Sequence, residues 1–425
     1  MKSFFITLLL LTAYVSFSQE FTMDLDLRDR FEYRHGFSTL FPDNTEPAAF
    51  VRQRARLKLG YVSKLLEIKL SVQDVSTWGD TRQILPSDGN DSFMLFEAWA
   101  KIYLNDYWAI QAGRQPISYD NQRILGGLDW AMQGRTHDAL LVRYDKESLK
   151  GDLGFAFNQV GEPINGNDYD ITGFFSYKTM QYAYLSKKWD KTVVSFLFLN
   201  NGFQAYADSA NTITDGVYNR QTTGLYFSAP TGDFTFKGFG YYQSGKASQD
   251  TDLSAYDLGL EVAFSPNKTV FAAGMELLSG TDQAGDDRNR SFFPLYGTNH
   301  AFNGYMDYFY VGNHANNVGL NDYYLSTTFK PGKSNSLKMA VHYFMSNADI
   351  IGTDDRDLGT EIDLVYTHKI NKNVKTQVGY SHMFATDQMS AIKGGTTNEN
   401  TNNWAWVQLF VNPRLFTHNL KGEEE

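Results

Sequence analysis

Basic residues alternate with other types in two stretches near the start of the chain: Arg28, Arg30 and Arg34, then Arg52, Arg54, Arg56 and Lys58. A guanidinium is a planar fork that grips a carboxylate through two parallel hydrogen bonds, so a row of forks on one face is a path for oxyanions. Arg143 and Arg114 extend this basic set, while Glu261, Glu361 and Asp363 mark an acidic set at alternating positions later in the chain. The chemistry expected is therefore reversible anion binding along a two-sided polar surface, with Arg54, Arg56 and Arg114 as its unpaired members. A plainer reading stands beside it: Asp24, Asp26 and Glu32 lie close enough in sequence to pair with the arginines and simply brace neighbouring strands.

Catalytic and metal signals are weak. Gly240 to Lys246 has the spacing of a phosphate-binding loop, but Ala247 stands where a hydroxyl should reach a metal, and no helix follows. Asp282, Asp286 and Asp287 lack the regular spacing of a calcium loop and read as a solvated loop. His137 and Asp138 are adjacent, so on a strand they point to opposite faces and form no dyad. No enzyme, cofactor or metal is expected. The net charge of −10 also speaks against nucleic acid, which demands clustered positive charge.

The elements that position these residues are strands. Met23, Leu25, Leu27, Phe31 and Tyr33 alternate with Asp24, Asp26, Arg28, Arg30, Glu32 and Arg34, a period of two. Val51, Ala55, Leu57 and Leu59 alternate in the same way with the second basic row. Similar segments recur to residue 412 and predict an all-β fold of about 18 antiparallel strands. Tight turns such as Asn105-Asp106 and Asn371-Lys372-Asn373 alternate with long polar segments near 35–49, 75–91, 114–137, 201–219, 280–320 and 386–402. That alternation is the mark of a transmembrane barrel with short periplasmic turns and long external loops.

Composition agrees: Tyr 26, Phe 32 and Gly 35 are high counts, yet only 42% of residues are hydrophobic, as suits strands that face lipid on one side and water on the other. Lys2, the apolar run from Phe4 to Val15 and the small residues Ser16 and Ser18 form a secretory leader over 1–18, with cleavage expected before Gln19. Residues 19–425 then form one outer-membrane barrel, without disulfides because the chain has no Cys. A barrel this wide leaves an aqueous lumen. Trp108, Trp189, Trp404 and Trp406 are expected in the aromatic girdles or near the rims.

The stretch GRQPISYDNQRILGGLDWAMQGR at 113–135, with Pro294-Leu295-Tyr296-Gly297-Thr298-Asn299-His300 and Gly304-Tyr305-Met306-Asp307, resembles the alginate-export family of outer-membrane barrels. The resemblance implies a monomeric barrel of 18 strands in a Gram-negative outer membrane. It also implies an Arg-rich constriction passing an anionic polysaccharide of uronic acids. Arg114, Arg123 and Arg135 fall in the matching motif and are the candidate constriction residues, on a loop that Gly126 and Gly127 would help to turn inward. The alternative is a general porin with a modest anion preference. The residues name no periplasmic partner and no direction of passage.

Overall fold

In the first strand, β1 (Gln19–His35), Asp26, Arg28, Arg30 and Glu32 are buried, while Phe31 on the opposite face is 43% exposed. This inverts the rule for a water-soluble protein. The cause is closure: the charged face looks into a barrel and the apolar face meets lipid.

The computed structural model describes residues 19–80, 93–169, 176–207, 212–285, 287–310, 317–394 and 397–420. The expected leader, the acidic tail at 423–425 and Asp286 lie outside these. After β1 come β2 (Ala48–Val62), β3 (Leu66–Thr77), β4 (Met94–Tyr103), β5 (Trp108–Gln115), β6 (His137–Lys146), β7 (Leu149–Phe157), β8 (Thr179–Trp189) and β9 (Thr192–Tyr206). The second half holds β10 (Ile213–Thr231), β11 (Phe234–Lys246), β12 (Asp252–Phe264), β13 (Thr269–Leu278), β14 (Leu320–Phe329) and β15 (Asn335–Met345). It ends with β16 (Asp357–Lys369), β17 (Val374–Ala385), β18 (Asn402–Val411) and β19 (Arg414–Leu420).

Each strand pairs antiparallel with its chain neighbours, and β1 closes the circle by pairing with β2 on one edge and with β18 and β19 on the other. The last two segments are one strand interrupted at Asn412 and Pro413, where proline lacks the amide hydrogen that pairing needs, so the barrel has 18 positions. The sequence reading ended this strand at 412; pairing continues to Leu420. Pairing also runs further than expected in β9 and β10. At the boundary the outward side chains are amides, with Asn200 bonded to Gln181, Asn219 and Gln221, so the apolar alternation stops while the ladder goes on.

Short turns such as 147–148, 190–191 and 232–233 lie at one rim, and the long connections 36–47, 116–136 and 279–319 spring from the other. Trp108 and Trp189 stand exposed on the outer face, as expected of girdle residues. Trp404 and Trp406 do not. They face inward and are buried, because the loops fold into the lumen and bring a hydrophobic cluster with them: Ile124, Leu125, Tyr296, Met306, Tyr308 and Val318 belong to it.

Candidate functional site: a loop-filled lumen with a basic wall

The register of β1 on β2 sets Arg28 directly opposite Arg54, Asp26 opposite Arg56 and Arg30 opposite Arg52. Two guanidinium groups face to face repel, and the repulsion is relieved from two sides. Asp26 accepts from Arg54 Nη2 at 2.7 Å, and Asp129 on the 116–136 loop reaches Arg28 at 3.1 Å and Arg54 at 3.3 Å. Backbone carbonyls of the same loop complete the grip. Arg28 donates to Asp129 O (2.6 Å), Arg30 to Trp130 O (3.0 Å), and Gln73 to Gln133 O (2.8 Å). Arg30 also lies over the Trp130 ring, 4.0 Å from its centroid, and bonds Glu32 at 2.8 Å.

The ladder therefore holds a loop rather than standing bare in the bore. The Arg54 side chain is fully covered, while Asp129 is 72% exposed above it. Arg56 meets Gln73 Oε1 at 2.7 Å and the Phe96 ring at 3.5 Å, and among the described residues no carboxylate pairs with it. Arg34 and Arg52 also face the lumen, half-buried, and Arg34 bonds Glu32 at 2.8 Å.

Arg114 corrects the sequence reading. It shares the outward face of β5 with Trp108 and Ala112, and its Nε and Nη2 each bond Asp138 at 2.8 Å on the outward face of β6. It is neither unpaired nor on the lumen wall. Arg54, also expected to be unpaired, has two carboxylates. Arg143 does face inward, bonded to Asp152 at 3.1 Å.

Arg123 is the second grip. Its side chain, almost wholly covered, places Nε 2.6 Å from Glu276 and 3.5 Å from Asp257 on the far wall. Its Nη2 donates to Asn303 Oδ1 at 2.9 Å, and Asn303 donates in turn to Glu276 Oε2 at 2.7 Å. The 116–136 loop is thereby locked to the 279–319 loop. Between them Gly126 N donates to Tyr296 O (2.9 Å), Tyr296 N to Ile124 O (3.0 Å), and Arg135 Nη1 to Gly297 O (2.8 Å). A Cβ on Gly297 would lie 2.1 Å from Arg123 O, and one on Gly126 would lie 2.4 Å from Thr298 Oγ1. Gly126 serves close approach, not a left-handed turn; the left-handed positions in this loop fall on Asp120, Gln122, Leu128 and Gly134. Burial holds the Arg135 guanidinium below its usual range.

Glu361 and Asp363, expected to line the pore, are buried, and Glu361 holds the second loop. Glu361 accepts from Met306 N at 2.8 Å beneath Gly304, and Asp363 accepts from Ser381 Oγ. Trp130 stacks on His300 at 4.3 Å and meets Trp404 and Trp406 edge-on. Sequence reasoning missed these contacts, as it missed Asp129.

What remains half-exposed on the inward face towards the short-turn rim is largely lysine: Lys58, Lys69, Lys101, Lys237, Lys338 and Lys375. Among the carboxylates, Glu67 and Glu261 share that region, with Glu261 held by Lys237 at 2.9 Å.

The alginate-export family model matches residues 19–403. The chain belongs to the alginate-export family. A comparison with curated proteins returns no match for this alginate-export barrel. Among solved structures it is similar in fold to Pseudomonas aeruginosa OccK11 (OpdR), with TM-score 0.61 and 11% identity over 93% of this chain and 96% of that one. It is also similar to P. aeruginosa OccK2 (OpdF) in complex with glucuronate, at TM-score 0.60, 12% identity and 93% and 98% coverage. P. aeruginosa OpdK with vanillate gives TM-score 0.59, 10% identity and 94% and 99% coverage. Family and fold together make this alginate-export barrel an outer-membrane channel of a Gram-negative cell rather than an enzyme.

Proposed function

We propose that the channel passes anionic saccharides, as a monomer, with the inward lysines lowering the barrier to carboxylates. The observation that carries this reading is the sorting of charge. Asp257, Glu276, Asp322 and Glu361 are buried in the grip on the loops and Asp363 is buried against Ser381, whereas Lys58, Lys69, Lys101 and Lys375 stay partly exposed, Lys58 3.4 Å from Asp26 and Lys101 4.0 Å from Glu67. The net charge of −10 is thus not the charge a solute meets in the bore. A row of lysines offers several weak sites in series, which lets a polymeric anion move without being trapped. The family to which the chain belongs, and fold neighbours solved with glucuronate and with vanillate, both carboxylates, point the same way.

The test is conductance of the refolded protein in a planar bilayer, with the reversal potential read across a salt gradient and an oligouronate then added. Anion selectivity with block by oligouronate is expected, and the triple change Lys58→Gln, Lys101→Gln and Lys375→Gln should lower both. Conductance with neither selectivity nor block would replace this reading by a general porin.

A further inference from the structure

Under the 299–305 segment, against the inward faces of β10 to β15, lies a half-open cavity of about 200 Å³. Pockets for drug-sized ligands run to roughly 300–1,000 Å³, so this one admits a single ring and not a chain. Tyr226, Phe239, Tyr305 and Tyr324 contribute its aromatic surface, and Asn121 and Ser326 its neutral polar groups.

Its charges are unevenly matched. Both oxygens of Glu261 are taken, by Lys237 at 2.9 Å and by the Tyr324 hydroxyl at 3.0 Å. Glu276 is held by Arg123 and Asn303, and Asp322 by His342 at 2.9 Å. Lys338 stands apart: it donates to the Tyr305 hydroxyl at 2.6 Å, and among the described residues no carboxylate lies within the 4.0 Å of an ion pair. An ammonium has three donors, so two remain for a ligand.

We propose that this cavity is a binding subsite for one carboxylate-bearing sugar ring, such as a free hexuronate. In it the carboxylate pairs with Lys338, the ring lies against Tyr305 and Tyr324, and Asn121 and Ser326 take hydroxyls. The proposal rests on the preceding reading in taking the acid to be a saccharide, and it adds a monomer site at a fixed place.

Calorimetry of the detergent-solubilised full barrel with sodium glucuronate, and with glucose as the uncharged ring, tests it without reference to conduction. Glucuronate should bind and glucose should bind far more weakly. Lys338→Met should weaken glucuronate by about tenfold or more, while Lys150→Gln, at an exposed lysine of β7 paired with Asp145 and outside the cavity, should leave it unchanged. Equal binding of glucuronate by the Lys338→Met barrel would overturn the subsite, as would no binding to the native barrel. Either result leaves the bilayer experiment free to succeed, and glucuronate binding lost in Lys338→Met would stand even if the channel showed no anion selectivity. Circular dichroism of Lys338→Met must match the native spectrum; a further variant, Tyr305→Phe, keeps the ring but removes the hydroxyl and should retain most of the affinity.

Discussion

Replacement of Arg123 by methionine keeps much of the side-chain bulk and removes the charge that joins the two inward loops. Arg123 Nε lies 2.6 Å from Glu276 and 3.5 Å from Asp257, all three side chains almost wholly covered. Removing one member of a buried ion pair costs about 3–5 kcal/mol, because the remaining charge is left uncompensated. At about 1.4 kcal/mol per decade, the equilibrium between docked and released loops should shift by roughly a hundredfold to a thousandfold or more. Strand pairing does not involve this side chain, so the barrel should still fold and insert. The assay is limited proteolysis of reconstituted protein, with cleavage mapped to 116–136 and 279–310, alongside single-channel recording. Faster cleavage in both loops together, with larger or noisier current steps, is expected. Cleavage at the native rate with native conductance would refute the claim that Arg123 locks the loops.

Gly297→Ala sets a methyl 2.1 Å from a backbone oxygen and should release the same two loops without any change of charge, seen as the same cleavage pattern. Lys393 lies in the external 386–401 connection with Nζ donating to Tyr308 O, and burial pushes its amine down from 10.5 to about 7. Between those values the released segment binds a proton that the docked one does not, so docking should strengthen as pH rises from about 7 towards 10.5. Proteolysis there should be slower at alkaline pH, and Lys393→Met should flatten the dependence; a steady rate across pH in the native protein would contradict it. Intact mass of the membrane-extracted protein should correspond to a chain beginning at Gln19.

The period of two in β1 and β2 was enough to place Arg28, Arg30, Arg52, Arg54, Arg56 and Lys58 on one face, because a pleat leaves no other choice. Arg114 could have been placed by the same argument. It has the parity of Trp108 and Ile110, and its partner Asp138 has that of Leu140. The bracing role of the ladder was legible only as an alternative, since its chief partner, Asp129, is some 100 residues away from Arg28 in the chain. Trp404 and Trp406 alternate with Ala405 and Val407, so both faces of β18 read as apolar, and only the inward fold of Trp130 shows which face is covered. The contact of Glu361 with Met306 depends likewise on where a distant loop comes to rest.

Because the two long loops are held chiefly by side chains on the inner wall, the molecule is divided into a casing and a cartridge. The casing must satisfy lipid outside and hydrogen bonds between strands, and it can close before either loop has docked. The cartridge, 116–136 with the described parts of 279–319, answers to its sockets, among them Arg28, Arg54, Asp257, Glu276 and Glu361. Barrels that keep those sockets can exchange the insert and acquire a new solute preference, while the surface that the membrane sees is left as it was.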